Sequence, residues 1–448
     1  MAFPHVLALP FPIQGNVNPL MQFSQLLAKH GCKITFVQTE FTHKRVNNPS
    51  GAGKDMLEGS QIKIVTLPDG LDPEDNRTDI FKLLSSMKST MPARLQKLIE
   101  DINALEDVGN KISCIVVTVN MGWALEVAKK LGIKRALLFP ASGTSMACIL
   151  SIPKLIEDKI IDAEGLPIKK QEIQLSPNMP MIDPTEFPWH GQSKFIFDRI
   201  VQEVQPMNIA EWWLCNTAYD LEPGLFSISP KFLPIGPLMG SDDNNKISLW
   251  KEDTTCLDWL DQHPPKSVIY VSFGSMAVIG PNQFKELALG LDLLNKPFLW
   301  VVRKDNGVEE NNAYPDEFRG SHGKIVGWAP QKKILSHPAI ACFISHCGWN
   351  STIEGVYNGV PFLCWPFFSD QLLDKSYICD VWKIGLELEK DENGLISRGE
   401  IRKKVEQLLG DDDIKARSLK MKEIAKTSIA EDGQSSKNLD KFINWAKY

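Results

Sequence analysis

The chain has no basic stripe, no Cys-x-x-Cys spacing and no apolar run of membrane-spanning length, and each absence removes a class of function. Its 49 Lys and Arg are spread among 55 Asp and Glu, for a formal net charge of −6. Nothing is gathered to neutralise phosphate backbones, so nucleic acid is excluded as a partner. Nine cysteines are scattered at 32, 114, 148, 215, 256, 342, 347, 364 and 379, an odd count, several inside apolar runs. A free thiol in such a run behaves as a small hydrophobe, so neither a disulfide framework nor a metal site is expected. A reducing, cytoplasmic setting follows. No membrane span is expected. Met1 to Pro12 is apolar but has no basic leader and is broken by prolines, so it reads as a first buried strand and not a signal peptide. No solenoid repeat or low-complexity tract is present.

What is present is a long chain with much to bury. At 448 residues and 43% hydrophobic, it exceeds what one core supports, and two domains are expected. Short apolar runs alternate with helical patterns. His5 to Pro10 reads as a strand, followed by a glycine-containing loop, Gln14 to Pro19, then a helix with Leu20, Phe23, Leu26 and Leu27 on one face. Asn18 is its expected N-cap and Pro19 its first helical residue. Strands follow at Lys33–Val37, Ile115–Val117 and Ala136–Phe139, with a helix from Gly122-Trp123. Such alternation implies parallel sheets covered by helices. Residues 151–198 break the pattern with prolines and aromatics and are expected to be a long loop region. The polar run Gly240 to Asn245 marks an interdomain linker, placed at 238–250. A second α/β series begins at Ser267–Val271, with a helix near Gln283–Leu294 and strands at Phe298–Val302 and Cys342–Ser345. Residues from Ser397 onward are expected to be helical.

From Trp328 to Gln371 the chain reads WAPQKKILSHPAIACFISHCGWNSTIEGVYNGVPFLCWPFFSDQ. This run resembles the signature of the plant family-1 UDP-glycosyltransferases along its whole length. The early Gln14-Gly15 loop and the Gly122-Trp123-Ala124 segment resemble that family too. The resemblance implies a GT-B fold: two Rossmann-like, doubly wound α/β domains facing a cleft. It implies a UDP-sugar site in which Trp328 stacks uracil and Gln331 meets its polar edge. His346, Ser275, Asn350 and Ser351 would meet the diphosphate, beside the turn that carries Trp349. Glu354 would hold the ribose, and Asp370 and Gln371 the sugar hydroxyls. The chemistry fits beside the resemblance. A strand, a glycine turn and a helix aim backbone N–H groups and a positive dipole end at one point, which suits a diphosphate. No metal and no cofactor is then needed, with the UDP-sugar as co-substrate. The final Gln371 resembles the glucose-using members of that family more than those that prefer galactose, which implies glucose as the sugar.

One departure bears on catalysis. The family takes the acceptor proton with a histidine in a Gln-Gly-His pattern, oriented by an aspartate before the Gly-Trp-Ala helix. Here those positions hold Asn16 and Thr118. An amide takes no proton near neutral pH, and loss of a positioned base costs roughly a hundred- to ten-thousand-fold in rate. Two other histidines bear on the missing base: His5 starts the first strand, at the opposite end from the site, and His190 is in the loop region with Asp183 and Glu186, where it could line the acceptor pocket. Four readings stay open: a chain inactivated by design, transfer to acceptors already ionised, binding of UDP-sugar or glycoside without turnover, and glycoside hydrolysis on the same scaffold. Transfer with impaired or altered chemistry ranks first. The expected layout is an acceptor domain at 1–237, the linker at 238–250, a UDP-sugar domain at 251–430, and a last helix in 431–448 packing back on the first domain. The acceptor is expected to be a hydrophobic small molecule, phenolic, flavonoid or terpenoid, judged from Phe187, Trp189, Phe195 and Phe197. Its selectivity is expected in loops within 80–92 and 180–198. The chain is expected to act as a monomer.

Overall fold

A computed structural model describes residues 3–46, 61–105, 111–169, 171–239, 252–303 and 314–447. Nearly all of the expected linker lies outside these residues. Two parallel sheets organise the chain. The first contains β1 (His5–Leu9), β2 (Lys33–Thr39), β3 (Ile62–Leu67), β4 (Ile112–Thr118), β5 (Lys134–Phe139), β6 (Trp212–Cys215) and β7 (Phe232–Pro234), in the order β3-β2-β1-β4-β5-β6-β7. The second contains β8 (Val268–Ser272), β9 (Phe298–Val301), β10 (Gly323–Val326), β11 (Ile340–Ser345), β12 (Phe362–Cys364) and β13 (Gly385–Glu387), in the order β10-β9-β8-β11-β12-β13. Each sheet winds outward both ways from a central pair, which defines two doubly wound α/β domains.

The two-residue period of the strands builds a core on each face of each sheet. In the first sheet Leu7, Leu9, Ile115, Val117 and Leu137 face the helices Ile80–Asn103, Gly122–Lys130, Gly143–Glu157 and Lys194–Ile209. The alternate residues Val6, Ala8, Cys114, Val116 and Leu138 face the helix Gln14–Lys29 and the last helix, Gln434–Ala446. That last helix therefore belongs to the first domain's core: Phe442 meets Phe23 edge to face at 5.3 Å, and Asn438 Nδ2 donates to the Pro234 carbonyl at 2.8 Å. A fully buried phenylalanine contributes roughly 1.5–3 kcal/mol, so this return crossing is a firm anchor. In the second sheet Tyr270, Leu299 and Phe343 face one way, and Ile269, Val271, Trp300 and Ile344 the other. None of the nine cysteines is in a disulfide.

Three local expectations change. The first helix begins at Gln14, with Ile13 as N-cap, so Asn16 lies in its first turn and Pro19 inside it. Asn18 caps nothing there; its side-chain oxygen accepts from Gln14 Nε2 at 2.8 Å. Residues 80–92 are helical, within Ile80–Asn103, despite Pro92. The irregular region is shorter than expected, because Gly143–Glu157 and Lys194–Ile209 are helices.

Candidate active site

In a doubly wound sheet the crevice opens where the strand order reverses, beyond the carboxyl ends of the two central strands. In the first domain these are β1 and β4, and in the second β8 and β11. The chain leaving β1 enters the helix that carries Asn16, and Thr118 ends β4. Ser275 follows β8 and His346 follows β11. The fold thus puts the residues singled out in the sequence at the two crevices.

The second domain's crevice is built by His346-Cys347-Gly348 between β11 and the helix Trp349–Asn358. Cys347 takes a left-handed φ of 66°, and the turn is fixed by its N–H donating to Ser345 Oγ at 3.1 Å and by Thr352 Oγ1 donating to the Cys347 carbonyl at 3.1 Å. The helix is capped by Gly348, which offers no side-chain oxygen to its first N–H groups. His346 fits between two glycines: a Cβ on Gly274 or Gly348 would lie 2.6 or 2.5 Å from His346 Nε2. Burial, aided by the charge of Arg303 and opposed by a backbone interaction with Ser272, lowers the imidazole's pKa to about 4. His346 is therefore neutral near pH 7, and the cation of this region is Arg303. That guanidinium, 5% exposed, donates to the Gly274 carbonyl at 2.7 Å and the Ala277 carbonyl at 3.3 Å, bracing the loop that carries Ser275. Arg303 was missed in the sequence; a lone arginine just past the apolar strand Phe298–Val301 was the available signal.

Beside this turn, Gln331 holds three neighbours. Its Nε2 donates to Glu354 Oε2 and Ser351 Oγ, each at 2.8 Å, and its Oε1 accepts from the Tyr270 hydroxyl at 3.1 Å. Trp328 is partly exposed one turn earlier, and its carbonyl accepts from Asp253 N–H. Trp349 is 2% exposed; its indole N–H donates to the Asn216 carbonyl of the first domain at 3.0 Å. Its side chain is a strut between domains. Asn350 Nδ2 also reaches the first domain, donating to the Gly15 carbonyl at 3.0 Å. Gln371 is buried with Oε1 held by the Phe367 and Phe368 N–H groups, which leaves its NH2 as the donor end. Asp370 is partly exposed next to it, its pKa raised by burial, while the Ser369 hydroxyl and the Trp349 N–H favour its charge.

Across the cleft, Asn16 is 5% exposed and its Oδ1 has no hydrogen-bond partner. Thr118 is wholly buried, and its hydroxyl oxygen accepts from the Phe11 N–H at 2.8 Å. The aromatic loop differs from expectation. Phe187, Trp189 and Phe197 are core residues at 0%, 3% and 2% exposure, with Phe187 stacked on Trp189 at 4.6 Å; only Phe195 is exposed, at 52%. The aromatics that were taken to line an acceptor pocket mostly hold the loop to its own domain. Glu186 instead reaches the second domain, pairing with Lys375 at 3.4 Å. His190 sits in the following turn, partly buried, near Asp183.

These crevices, facing each other and tied by Trp349 and Asn350, define a two-domain nucleotide-sugar transferase scaffold. The family described as "UDP-glucoronosyl and UDP-glucosyl transferase" matches residues 181–448. UDP-glycosyltransferase 83A1 of Arabidopsis thaliana is 43% identical over 100% of this chain and 97% of that protein. The 7-deoxyloganetin glucosyltransferase of Catharanthus roseus is 32% identical over 99% of this chain and 96% of its own. Among solved structures, UGT2 of Phytolacca americana, complexed with UDP-2fluoro-glucose and pterostilbene, superposes with a TM-score of 0.82 at 25% identity, covering 99% of this chain and 100% of that one. The indoxyl-glucosylating enzyme of Polygonum tinctorium, in complex with 3,4-dichloroaniline, has a TM-score of 0.82 at 26% identity, covering 100% of both chains. The chain belongs to the plant UDP-glycosyltransferases and has their GT-B fold.

Proposed function

We propose that this protein transfers glucose from UDP-glucose to an apolar small molecule, with Asn16 holding the acceptor hydroxyl and not deprotonating it. The observation that carries this reading is the buried Asn16 Oδ1, an acceptor with no donor, at the mouth of the first domain's crevice. A buried acceptor left unmade is costly, and a hydroxyl arriving from the cleft would satisfy it. That bond orients the nucleophile, and orientation alone supplies part of the acceleration. The amide cannot receive the proton, and Thr118 is committed to Phe11. A hydroxyl acidic enough to release its proton to solvent as it attacks needs no positioned base, so acidic phenols are the favoured class. Pterostilbene, indoxyl and 7-deoxyloganetin, named with the relatives, support a compact, largely apolar aglycone.

The donor would sit in the second domain, 251–430. The open end of the helix Trp349–Asn358 and Arg303 balance the diphosphate charge, neutral His346 donates or accepts a hydrogen bond, and Ser275 lies on the loop Arg303 braces. Trp328 offers its ring to uracil. Gln331 fixes Glu354 for the ribose, and Asp370 and Gln371 read the sugar. The first domain, 1–237, would hold the acceptor, and the protein would act as a cytoplasmic monomer. The test is a panel of aglycones spanning hydroxyl pKa with UDP-glucose, run beside glucosides without nucleotide. Glucoside formation and UDP release on acidic acceptors support the reading. Aglycone release without UDP makes it a hydrolase, and UDP-glucose binding with no product makes it a binding protein.

A further inference from the structure

A buried acid, Asp374, lies behind Asp370 at the proposed sugar end of the site. Asp374 lies one turn after Asp370, with its N–H donating to the Asp370 carbonyl at 2.9 Å. Asp374 is 0% exposed and neither carboxyl oxygen accepts a hydrogen bond, while its side chain lies within hydrogen-bonding reach of the Asp370 carboxyl. A carboxylate so placed would be an isolated buried charge, which proteins avoid by keeping the proton on.

The groups facing it agree. Asp370, beside it, disfavours a second negative charge most; the Ser142 hydroxyl, capping the helix Gly143–Glu157, opposes this, and Glu222 across the domain boundary adds a smaller effect of the same sign as Asp370. Glu222 already takes that helix's first N–H groups, from Gly143 at 3.2 Å and Thr144 at 2.8 Å. Tyr377, whose hydroxyl bonds Thr144 Oγ1 at 2.7 Å, is held neutral beside them. The cation on this helix, Lys375, pairs with Glu186 and with Glu387 at 3.1 Å. Burial and Asp370 together push the Asp374 carboxyl well above the usual range, while Asp374 favours the charged form of Asp370. Both carboxyls are raised, Asp374 further than Asp370, so Asp370 gives up its proton first and the two titrate as a pair.

We propose that Asp374 is a positioning residue for the donor sugar: a carboxylic acid kept neutral in the wall behind Asp370, whose proton holds the Asp370 carboxylate charged and aimed at the sugar hydroxyls. The inference rests on Asp370 reading the sugar, as in the function proposed above. Its own content is that the donor pocket contains one shared proton between these two acids. Raising the pH removes that proton, places two negative charges in one buried wall, and loosens the grip on the sugar but not on UDP.

The experiment uses the full chain with Asp374→Ala and Asp374→Asn. The infrared difference spectrum of parent against Asp374→Asn at pH 7 is expected to contain a protonated-carboxyl C=O band, and its absence overturns the proposal whatever the enzyme does. UDP-glucose and UDP affinities are then measured by calorimetry across pH 6–10. Asp374→Ala should weaken UDP-glucose about tenfold, the loss of one hydrogen bond to a charged group, and leave UDP within about twofold. Asp374→Asn restores a donor and should recover most of that loss while removing the alkaline fall in the parent's UDP-glucose affinity. An unchanged pH profile in Asp374→Asn, or equal weakening of UDP and UDP-glucose, overturns the proposal. If the parent binds neither nucleotide, the transferase reading fails and the infrared band still decides the state of Asp374.

Discussion

Asn350 Nδ2 donates to the carbonyl of Gly15, 3.0 Å away across the cleft. Within the helix Gln14–Lys29, that carbonyl would be met by the N–H of residue 19, but residue 19 is Pro19 and has none. The second domain thus completes a helix of the first at the residue just before Asn16. Removing the amide with Asn350→Ala should cost about 1 kcal/mol. Pro19→Ala returns the missing N–H to Gly15, so the two substitutions should couple by roughly 0.5 kcal/mol or more in a double-mutant cycle. Denaturant titration of the four variants checks this; strict additivity would mean that the contact carries no energy.

His346 gives the protein a definite acid response. Its pKa in the folded state is lowered to about 4, while its unfolded value is near 6.5. Between these values the unfolded chain binds the extra proton, so the stability His346 contributes is fully present above pH 6.5 and is lost as pH falls through about 4. The full effect is on the order of 3 kcal/mol. From pH 7.5 to 4 the unfolding free energy of the parent should fall further than that of His346→Asn, so any advantage of the parent shrinks towards the acid end. UDP-glucose affinity should show no histidine titration between pH 5.5 and 8, because the ring stays neutral.

Gln331 is argued to act through Glu354. Gln331→Ala removes one hydrogen bond that orients the Glu354 carboxylate and should weaken UDP and UDP-glucose alike, about tenfold, since the ribose is common to both. Saturating UDP should raise the melting temperature of the parent, by the equivalent of about 2.7 kcal/mol at a hundred times Kd, and the rise should shrink in Gln331→Ala, Glu354→Ala and Trp328→Ala. No shift in the parent at millimolar UDP would remove the donor site.

The aromatic loop separates structure from specificity. Phe187 is fully buried against Trp189, so Phe187→Ala should cost about 3–5 kcal/mol of stability. Phe195 is half exposed, edge to face with Phe81 at 4.8 Å, and Phe195→Ala should stay within about 1 kcal/mol. Thermal melts of both variants, with the acceptor panel repeated on Phe195→Ala, check the assignment.

Much of this was legible in the sequence because it is local. The apolar run Ile340–Ser345, the glycine turn and the following helix declared the crevice of the second sheet, and the strand–helix alternation declared both sheets. What was hidden is non-local. Asn18-Pro19 carries a helix-start signal, yet the helix starts at Gln14, since the carbonyl that Pro19 strands is met by Asn350 from 335 residues away. Residues 80–92 are rich in Ser, Met and Pro, but Met87, Met91 and Leu95 supply a buried helical face. Phe187 and Trp189 looked like pocket residues because sequence gives aromatic content without direction. Asp374 stood four residues from Asp370, but only the fold shows that its carboxyl meets no donor.

The central claim is that the donor site is whole and the proton acceptor is missing. Asn16→His and Thr118→Asp test it, singly and together, as transfer rates from UDP-glucose to phenols of graded pKa. Thr118→Asp alone should destabilise, because it puts a carboxylate at a wholly buried position, and should not raise the rate. The pair should be non-additive, since the aspartate acts only through the histidine it orients. The double variant should gain roughly a hundredfold or more on weakly acidic phenols, with the gain shrinking as the acceptor becomes more acidic. A parent chain that already matches the double variant on the least acidic phenols would contradict the account, for it would possess a base that neither Asn16 nor Thr118 provides.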